Sequence, residues 1–283
     1  MKKLVQGLLI ITVLAVSFTG CRQAPKQDED RTGVEAAMFD PATIRDDVVK
    51  LIQQAPRAND VFDFLNRTGA AYIFDLAVPF AVAQQHETSS QLSLVLGAYL
   101  SDALYASAYN RMDVVSQTGD IAAGLAGQLG LQNELENTMA YREKLRETDD
   151  PEVREALIEE MLDQAHKEFA GSDMADTYAL VFVGANVEAL YILSQLSLFA
   201  RDNQAMIDFM VERADMAKTV YNLLRLMTDE MYLELNPRIQ GYYDSAREIA
   251  NFFREVETFT LTELEEVSLM IESLRNNMFD IEY

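Results

Sequence analysis

The chain has 283 residues, and its 46 acidic against 23 basic side chains give a formal net charge of -23 at pH 7. A charge of this sign and size repels nucleic acid and anionic lipid headgroups, so a nucleic-acid partner is excluded. The chain has a single cysteine, which cannot form an internal disulfide, and the core must therefore hold the fold without one.

The first element in chain order is an apolar run near the amino terminus. Two lysines precede the apolar segment 4–18, and two small residues follow it, directly before Cys21. This order is typical of a secretory signal peptide. The run is also shorter than the ~20 apolar residues that a membrane-spanning helix needs. Residues 1–20 are therefore predicted to be a signal peptide.

The stretch SFTG before Cys21 resembles the lipobox of bacterial lipoproteins, with Phe18 at a position where that family usually has Leu. The resemblance implies that the Cys21 thiol takes a diacylglyceryl group, that the signal is cut before it, and that the new amino terminus is acylated. Each buried CH₂ contributes ~0.8 kcal/mol, so three acyl chains would anchor the protein firmly. The alternative is a free cysteine buried in a helix.

Residues 21–39 are predicted to be the lipidated cysteine and a flexible acidic tether, because RQAPKQDEDRTG has no apolar periodicity. Its KQDED resembles the acidic export tag that follows the cysteine in surface lipoproteins of the Bacteroidota. Arg22 stands where enterobacterial lipoproteins of the inner membrane carry Asp. Together these resemblances imply an outer-membrane location and leave the surface and periplasmic faces open.

The remaining segment, 40–283, is predicted to be one all-α domain of about ten to eleven helices without a sheet, since no stretch alternates with period two. Asp-Pro pairs at 40–41 and 150–151 mark helix starts. Pro79 is predicted to kink the helix that contains it, and the glycine-rich stretch 113–130 is a candidate for a broken helix.

The two longest helices are expected at 172–201 and 202–232. The first is apolar enough to suggest a membrane span, but its polar residues spread around the helix, and a charge in mid-span is costly in lipid. A central helix covered by its neighbours fits this pattern better. Short polar connections favour an antiparallel bundle or a stacked array of helix pairs.

Two apolar segments, 94–105 and 180–191, match at five of their twelve positions and each ends in Ala-Leu-Tyr. The match indicates either a duplicated half-domain or two helices drawn from the same few apolar residues. Asp102 and Glu188 are the only charges in these two segments. A buried carboxylate must find a partner, reach water or stay protonated.

Two hypotheses follow for these carboxylates. Each makes a structural hydrogen bond or ion pair to an Arg or Tyr, or Asp102 and Glu188 line one internal polar pocket, with Asn186 nearby, and this pocket is the functional site.

The sequence contains no recognisable catalytic or metal-binding motif. Asp163 lies three residues before His166, a spacing similar to that of the carboxylate and histidine ligands in di-iron bundles. Such a bundle needs a second pair, which is missing because the residue three before His86 is Ala83. The two-histidine spacing of zinc sites is also absent. The interpretation of His166 and Asp163 is an exposed pair on a solvated helix face. No nucleophile elbow or phosphate-binding loop occurs. No cofactor is predicted.

The favoured function is a lipid-anchored envelope lipoprotein whose helical body is a binding or scaffolding module for a protein or a small molecule. The rival hypotheses are an enzyme with a carboxylate-based site between helices and a purely structural envelope protein. A deep pocket lined by converging carboxylates and an Arg would favour the enzyme. A closed core with an apolar external groove would favour the binding module, and a purely structural protein would have neither feature.

Overall fold

Eleven α-helices and two short 3₁₀ helices make up the described part of this computed structural model, and no strand occurs among those residues. The prediction of an all-α fold with about ten to eleven helices is confirmed. The structure describes residues 41–131, 140–141, 143–145, 147–148, 150–170, 173–256 and 258–282. The predicted signal peptide, Cys21 and the tether lie outside the described residues.

The helices are numbered here in chain order. They are α1 (Pro41–Gln54), α2 (Ala58–Arg67), α3 (Ser89–Ala108), α4 (Met112–Gln128), α5 (Pro151–Ala170), α6 (Ala175–Phe199), α7 (Gln204–Glu212), α8 (Ala214–Leu226), α9 (Glu230–Leu235), α10 (Arg238–Glu255) and α11 (Leu261–Phe279). The 3₁₀ helices, Phe74–Leu76 and Phe80–Gln84, lie between α2 and α3.

Helix α6 forms the centre of the body. It packs against seven other helices, namely α1, α2, α3, α5, α7, α8 and α11. It is the one helix in the described part of the chain that is long and apolar enough to cross a membrane, yet most of it is buried inside the protein. The core helix of a folded domain has the same length and composition, so burial identifies α6 as the central helix that the sequence predicts.

Helices α3 and α6 approach each other so closely that two glycines are required at the crossing. A Cβ atom on Gly97 would lie 1.9 Å from the carbonyl oxygen of Val181, and one on Gly184 would lie 2.0 Å from that of Leu94. Both distances are far below van der Waals contact. The two similar segments of the sequence, 94–105 and 180–191, are therefore packed directly against each other.

The helix predicted around Pro79 is absent. The segment 70–88 instead contains the two 3₁₀ helices, and Pro79 precedes the second of them with φ of -57°. Proline has no N–H to donate and disfavours the α conformation in the residue before it. These local effects prevent a regular α-helix at Pro79, so the backbone groups of the segment form hydrogen bonds with side chains of α3 instead.

Two further helix predictions need correction. Helix α4 is unbroken despite its glycines, because four of its buried side chains, Val114, Thr118, Ala122 and Leu125, recur every three or four residues and form one packing face. The long helix expected at 202–232 is instead three helices, α7 to α9. The Thr228 hydroxyl donates to the Arg225 carbonyl at 2.8 Å, a bond that competes with continuation beyond α8.

The close crossing of α3 and α6 generates a prediction. Gly97→Ala should lower the free energy of unfolding by about 1–3 kcal/mol, because the new methyl group forces the two backbones apart. The matched control is Gly124→Ala in α4, where nothing lies within 4 Å of the added Cβ. This control should raise stability by about 0.5–1 kcal/mol through helix propensity alone. Urea denaturation of both variants measures the difference, and equal responses would contradict the close packing.

Candidate functional site

The segment 70–88, which contains no α-helix, is held by side chains of α3. Three buried α3 residues spaced three apart, Tyr99, Asp102 and Tyr105, bond to its backbone. The bonds run from Ile73 N to Tyr105 Oη (2.9 Å), from Val78 N to Asp102 Oδ2 (2.9 Å), from Ala83 N to Tyr99 Oη (3.2 Å) and from Tyr99 Oη to the Pro79 carbonyl (2.8 Å). Buried backbone groups need such partners when no helix supplies them.

Glu188 of α6 and Arg275 of α11 form a buried, bidentate ion pair next to this segment. Arg275 Nε donates to Glu188 Oε2 at 2.7 Å, and Nη2 donates to Oε1 at 2.9 Å. Nη2 also donates to the Leu76 carbonyl at 3.0 Å, and the guanidinium carbon lies 4.0 Å from the centre of the Tyr191 ring. Both charged side chains are almost completely inaccessible to solvent. The pair therefore joins α6, α11 and the segment 70–88.

The Asp102 and Glu188 carboxyl groups lie close enough to interact with each other. Asp102 Oδ1 is buried, and no described group donates a hydrogen bond to it, so an ionised Asp102 would be costly. Burial, and next the charge of Glu188, raises the pKa of Asp102 well above its usual range. Burial raises the pKa of Glu188 as well, but Arg275 opposes this effect. We therefore infer that Asp102 is protonated and donates a hydrogen bond to Glu188.

A separate cavity of about 350 Å³ lies between α1, α3, α4, α5 and α6, and we call it the chamber. Most of its lining is apolar, with side chains such as Leu100, Val115, Met161 and Phe182. The described residues that line it include no Asp or Glu. Three buried polar atoms of lining residues have no hydrogen-bond partner, namely Ser101 Oγ, His166 Nε2 and Asn186 Oδ1.

The structure brings two of the three predicted pocket residues together and places the third elsewhere. Asp102 and Glu188 form one polar cluster, whereas Asn186 lies on the wall of the chamber, with its Nδ2 donating to the Phe182 carbonyl at 2.8 Å. The sequence analysis missed Arg275. A signal for it was present, because Arg275 continues the spacing of the buried apolar residues Leu264, Ile271 and Met278 along α11.

Each of the two histidines has a hydrogen-bond partner within the protein. His166 and Asp163 are not the exposed pair that the sequence suggested. Asp163 instead binds Arg57 at 2.6 Å, and His166 Nδ1 is 2.6 Å from the Tyr178 hydroxyl, with burial lowering the pKa of the imidazole. His86 is buried, and its Nε2 lies 3.2 Å from the Phe279 carbonyl at the end of α11. Within the described residues, no group of three His, Cys, Asp or Glu side chains is placed to hold a metal ion.

Comparison with known proteins gives no relative. No protein-family model matches the chain, and no curated protein or solved structure is significantly similar to it. A functional hypothesis must therefore come from the residues themselves.

The buried cluster predicts opposite effects for two amide substitutions at pH 7. Glu188→Gln leaves Arg275 buried without a counter-charge and should cost about 3–5 kcal/mol of stability. Asp102→Asn should stabilise the protein, because the amide accepts from Val78 N–H and donates to Glu188 without having to hold a proton. Chemical denaturation measures both, with the exposed Asp202→Asn as the control.

The pH dependence follows from the raised pKa of Asp102 in the folded protein. Above the unfolded pKa of about 3.9, the folded state holds a proton that the unfolded chain has lost, so this contribution to wild-type stability decreases as pH rises. The advantage of Asp102→Asn over the wild type should therefore grow from pH 4 to pH 7. A variant that is less stable than the wild type at pH 7 would show that Asp102 is ionised.

Proposed function

We propose that the helical body is a binding module that holds an apolar small molecule in the chamber. We further propose that the acylated Cys21 and the acidic tether keep this module at the outer membrane. The observation that carries the first proposal is the chamber itself, a cavity of about 350 Å³ with a mostly apolar lining. The second rests on the resemblance of the first 21 residues to a lipoprotein signal.

The size and chemistry of the chamber support a ligand. An apolar concavity of this size leaves hydrophobic surface that a ligand would cover. Small-molecule sites are typically apolar cavities of a few hundred cubic ångströms with a few polar groups that orient the ligand. Ser101, His166 and Asn186 supply polar groups of this kind to the described lining of the chamber.

The enzyme hypothesis has less support. Its expected feature is a pocket where carboxylates and an arginine converge, but Asp102, Glu188 and Arg275 are not among the residues that line the chamber. Their polar atoms are occupied by one another and by the backbone at Leu76 and Val78. Such a cluster stabilises the fold and offers little to a substrate.

Binding of an apolar fluorophore tests the function. Phenylnaphthylamine should bind the purified protein, in which Cys21→Ser prevents acylation, with increased fluorescence; the chain has no Trp to interfere. Ala123→Leu fills part of the chamber and should weaken binding by tenfold or more, with an unchanged or higher melting temperature. Ala205→Leu, at an exposed position on α7, should leave binding unchanged. Wild-type protein that gives no fluorescence increase would overturn the proposal.

The proposed anchor has its own test. Cys21→Ala should move the protein from the membrane fraction to the soluble fraction, or leave an uncleaved precursor, because no thiol remains to be acylated. Membrane fractionation and metabolic labelling with a fatty acid measure the outcome. A Cys21→Ala variant that is still labelled and correctly cleaved would contradict the lipoprotein hypothesis.

A further inference from the structure

A second, smaller cavity lies beside the chamber. It has a volume of about 170 Å³ and is formed by residues of α2, α3 and α5. Its lining is largely polar, and it includes two guanidinium groups, Arg67 and Arg154, against one carboxylate, Asp63. The charge of its walls therefore favours an anion. We call this cavity the vestibule.

Arg154 is the residue that makes the vestibule unusual. It is only 7% exposed, yet no carboxylate among the described residues forms a salt bridge with it. Its Nη2 donates to the Thr148 carbonyl at 3.1 Å, while its buried Nε has no acceptor. Buried charges are normally paired, because desolvation without a counter-charge is expensive. An arginine that is buried, lines a cavity and lacks a carboxylate partner is suited to bind an anionic group from outside the chain.

Asn59 provides a second polar group in the same place. It is 7% exposed, and its Oδ1 is buried without a hydrogen-bond partner. As a lining residue, Asn59 adds a polar amide to the wall of the vestibule that also contains Arg154.

The vestibule and the chamber adjoin. Leu104, Ser107 and Ile158 line both cavities, so an apolar space and a cationic space meet at these residues. The only arginine on the chamber wall is Arg57 among the described residues, and its charge is compensated by Asp163 at 2.6 Å. An anionic group would therefore be held in the vestibule rather than in the chamber.

We propose that the ligand is an amphiphile with one apolar chain and one small anionic headgroup, a carboxylate or a phosphate ester. The chain occupies the chamber, and the headgroup binds Arg154 in the vestibule. This inference rests on the proposed function and adds the chemical class of the ligand. The polar end of the molecule replaces the missing counter-charge of Arg154, while the apolar end covers the apolar lining of the chamber.

Competition with bound phenylnaphthylamine tests the ligand class on the same Cys21→Ser protein. Dodecanoate, dodecyl phosphate and dodecanol share one chain and differ in the headgroup, and each is titrated below its aggregation concentration. At least one anionic ligand should displace the fluorophore at a concentration at least tenfold lower than dodecanol. The ranking of the carboxylate and the phosphate then identifies the preferred headgroup.

Substitutions locate the headgroup. Arg154→Gln should remove the anion preference and leave displacement by dodecanol unchanged, whereas Arg154→Lys should retain most of the preference. Arg201→Gln removes the same charge at an exposed position that lines neither cavity and should have no effect. Melting temperatures show whether each variant is folded. If Arg154→Gln does not fold, the comparison of the three ligands on the wild type still tests the ligand class.

Two results would overturn the inference. One is equal displacement of the fluorophore by all three ligands on the wild type, and the other is an Arg154→Gln variant that is folded and keeps the anion preference. Both leave the proposed function intact, because the fluorophore still binds the chamber. Failure of the uncharged fluorophore to bind at all would instead remove the proposed function, and the ligand class with it.

Discussion

The buried ion pair between Glu188 and Arg275 is the constraint on which the rest of the core depends. Two opposite charges without water are stable only when each lone pair and each N–H finds a partner. Here the guanidinium donates to both carboxylate oxygens and to the Leu76 carbonyl, and we infer that a protonated Asp102 donates to Glu188. The pair thereby links α6 and α11 to a segment that makes few helical hydrogen bonds of its own. Four hydrogen bonds between that segment and three α3 residues, Tyr99, Asp102 and Tyr105, complete the same arrangement.

Helix geometry explains why the polar cluster and the chamber are separate sites. Residues two apart on an α-helix point about 200° away from each other. Asn186 and Glu188 therefore face opposite sides of α6, the first toward the chamber and the second toward Arg275. On α3, Ser101 lines the chamber, whereas its neighbour Asp102 belongs to the polar cluster. A shared pocket for Asp102, Asn186 and Glu188 conflicts with this spacing, which was visible in the sequence.

Patterns of apolar and polar residues carried the prediction of the all-α fold, the central α6 and the two charges within apolar helices. They failed where the deciding partner is distant in sequence. The sequence of segment 70–88 predicts an α-helix, but its structure depends on Tyr99, Asp102 and Tyr105 of the next helix. The sequence predicts that Asp163 pairs with His166. In the structure Asp163 binds Arg57, which lies 106 residues away along the chain. The chamber could not be predicted at all, because no sequence pattern marks a volume that side chains leave unfilled.

The strongly acidic character of the chain bears directly on the proposed ligand. A net charge of -23 repels an anion at long range, but salt screens exposed charges beyond roughly 8 Å at physiological ionic strength. Inside the vestibule, Arg154 is buried and therefore screened less than an exposed charge, so it attracts an anion at short range. A small anion alone gains only this local attraction and can remain in water. An amphiphile also gains from transferring its chain out of water, at about 25 cal/mol per Å² of apolar surface, and can therefore overcome the repulsion. An acidic body with one buried arginine beside an apolar chamber thus favours anions that carry a chain over anions that do not.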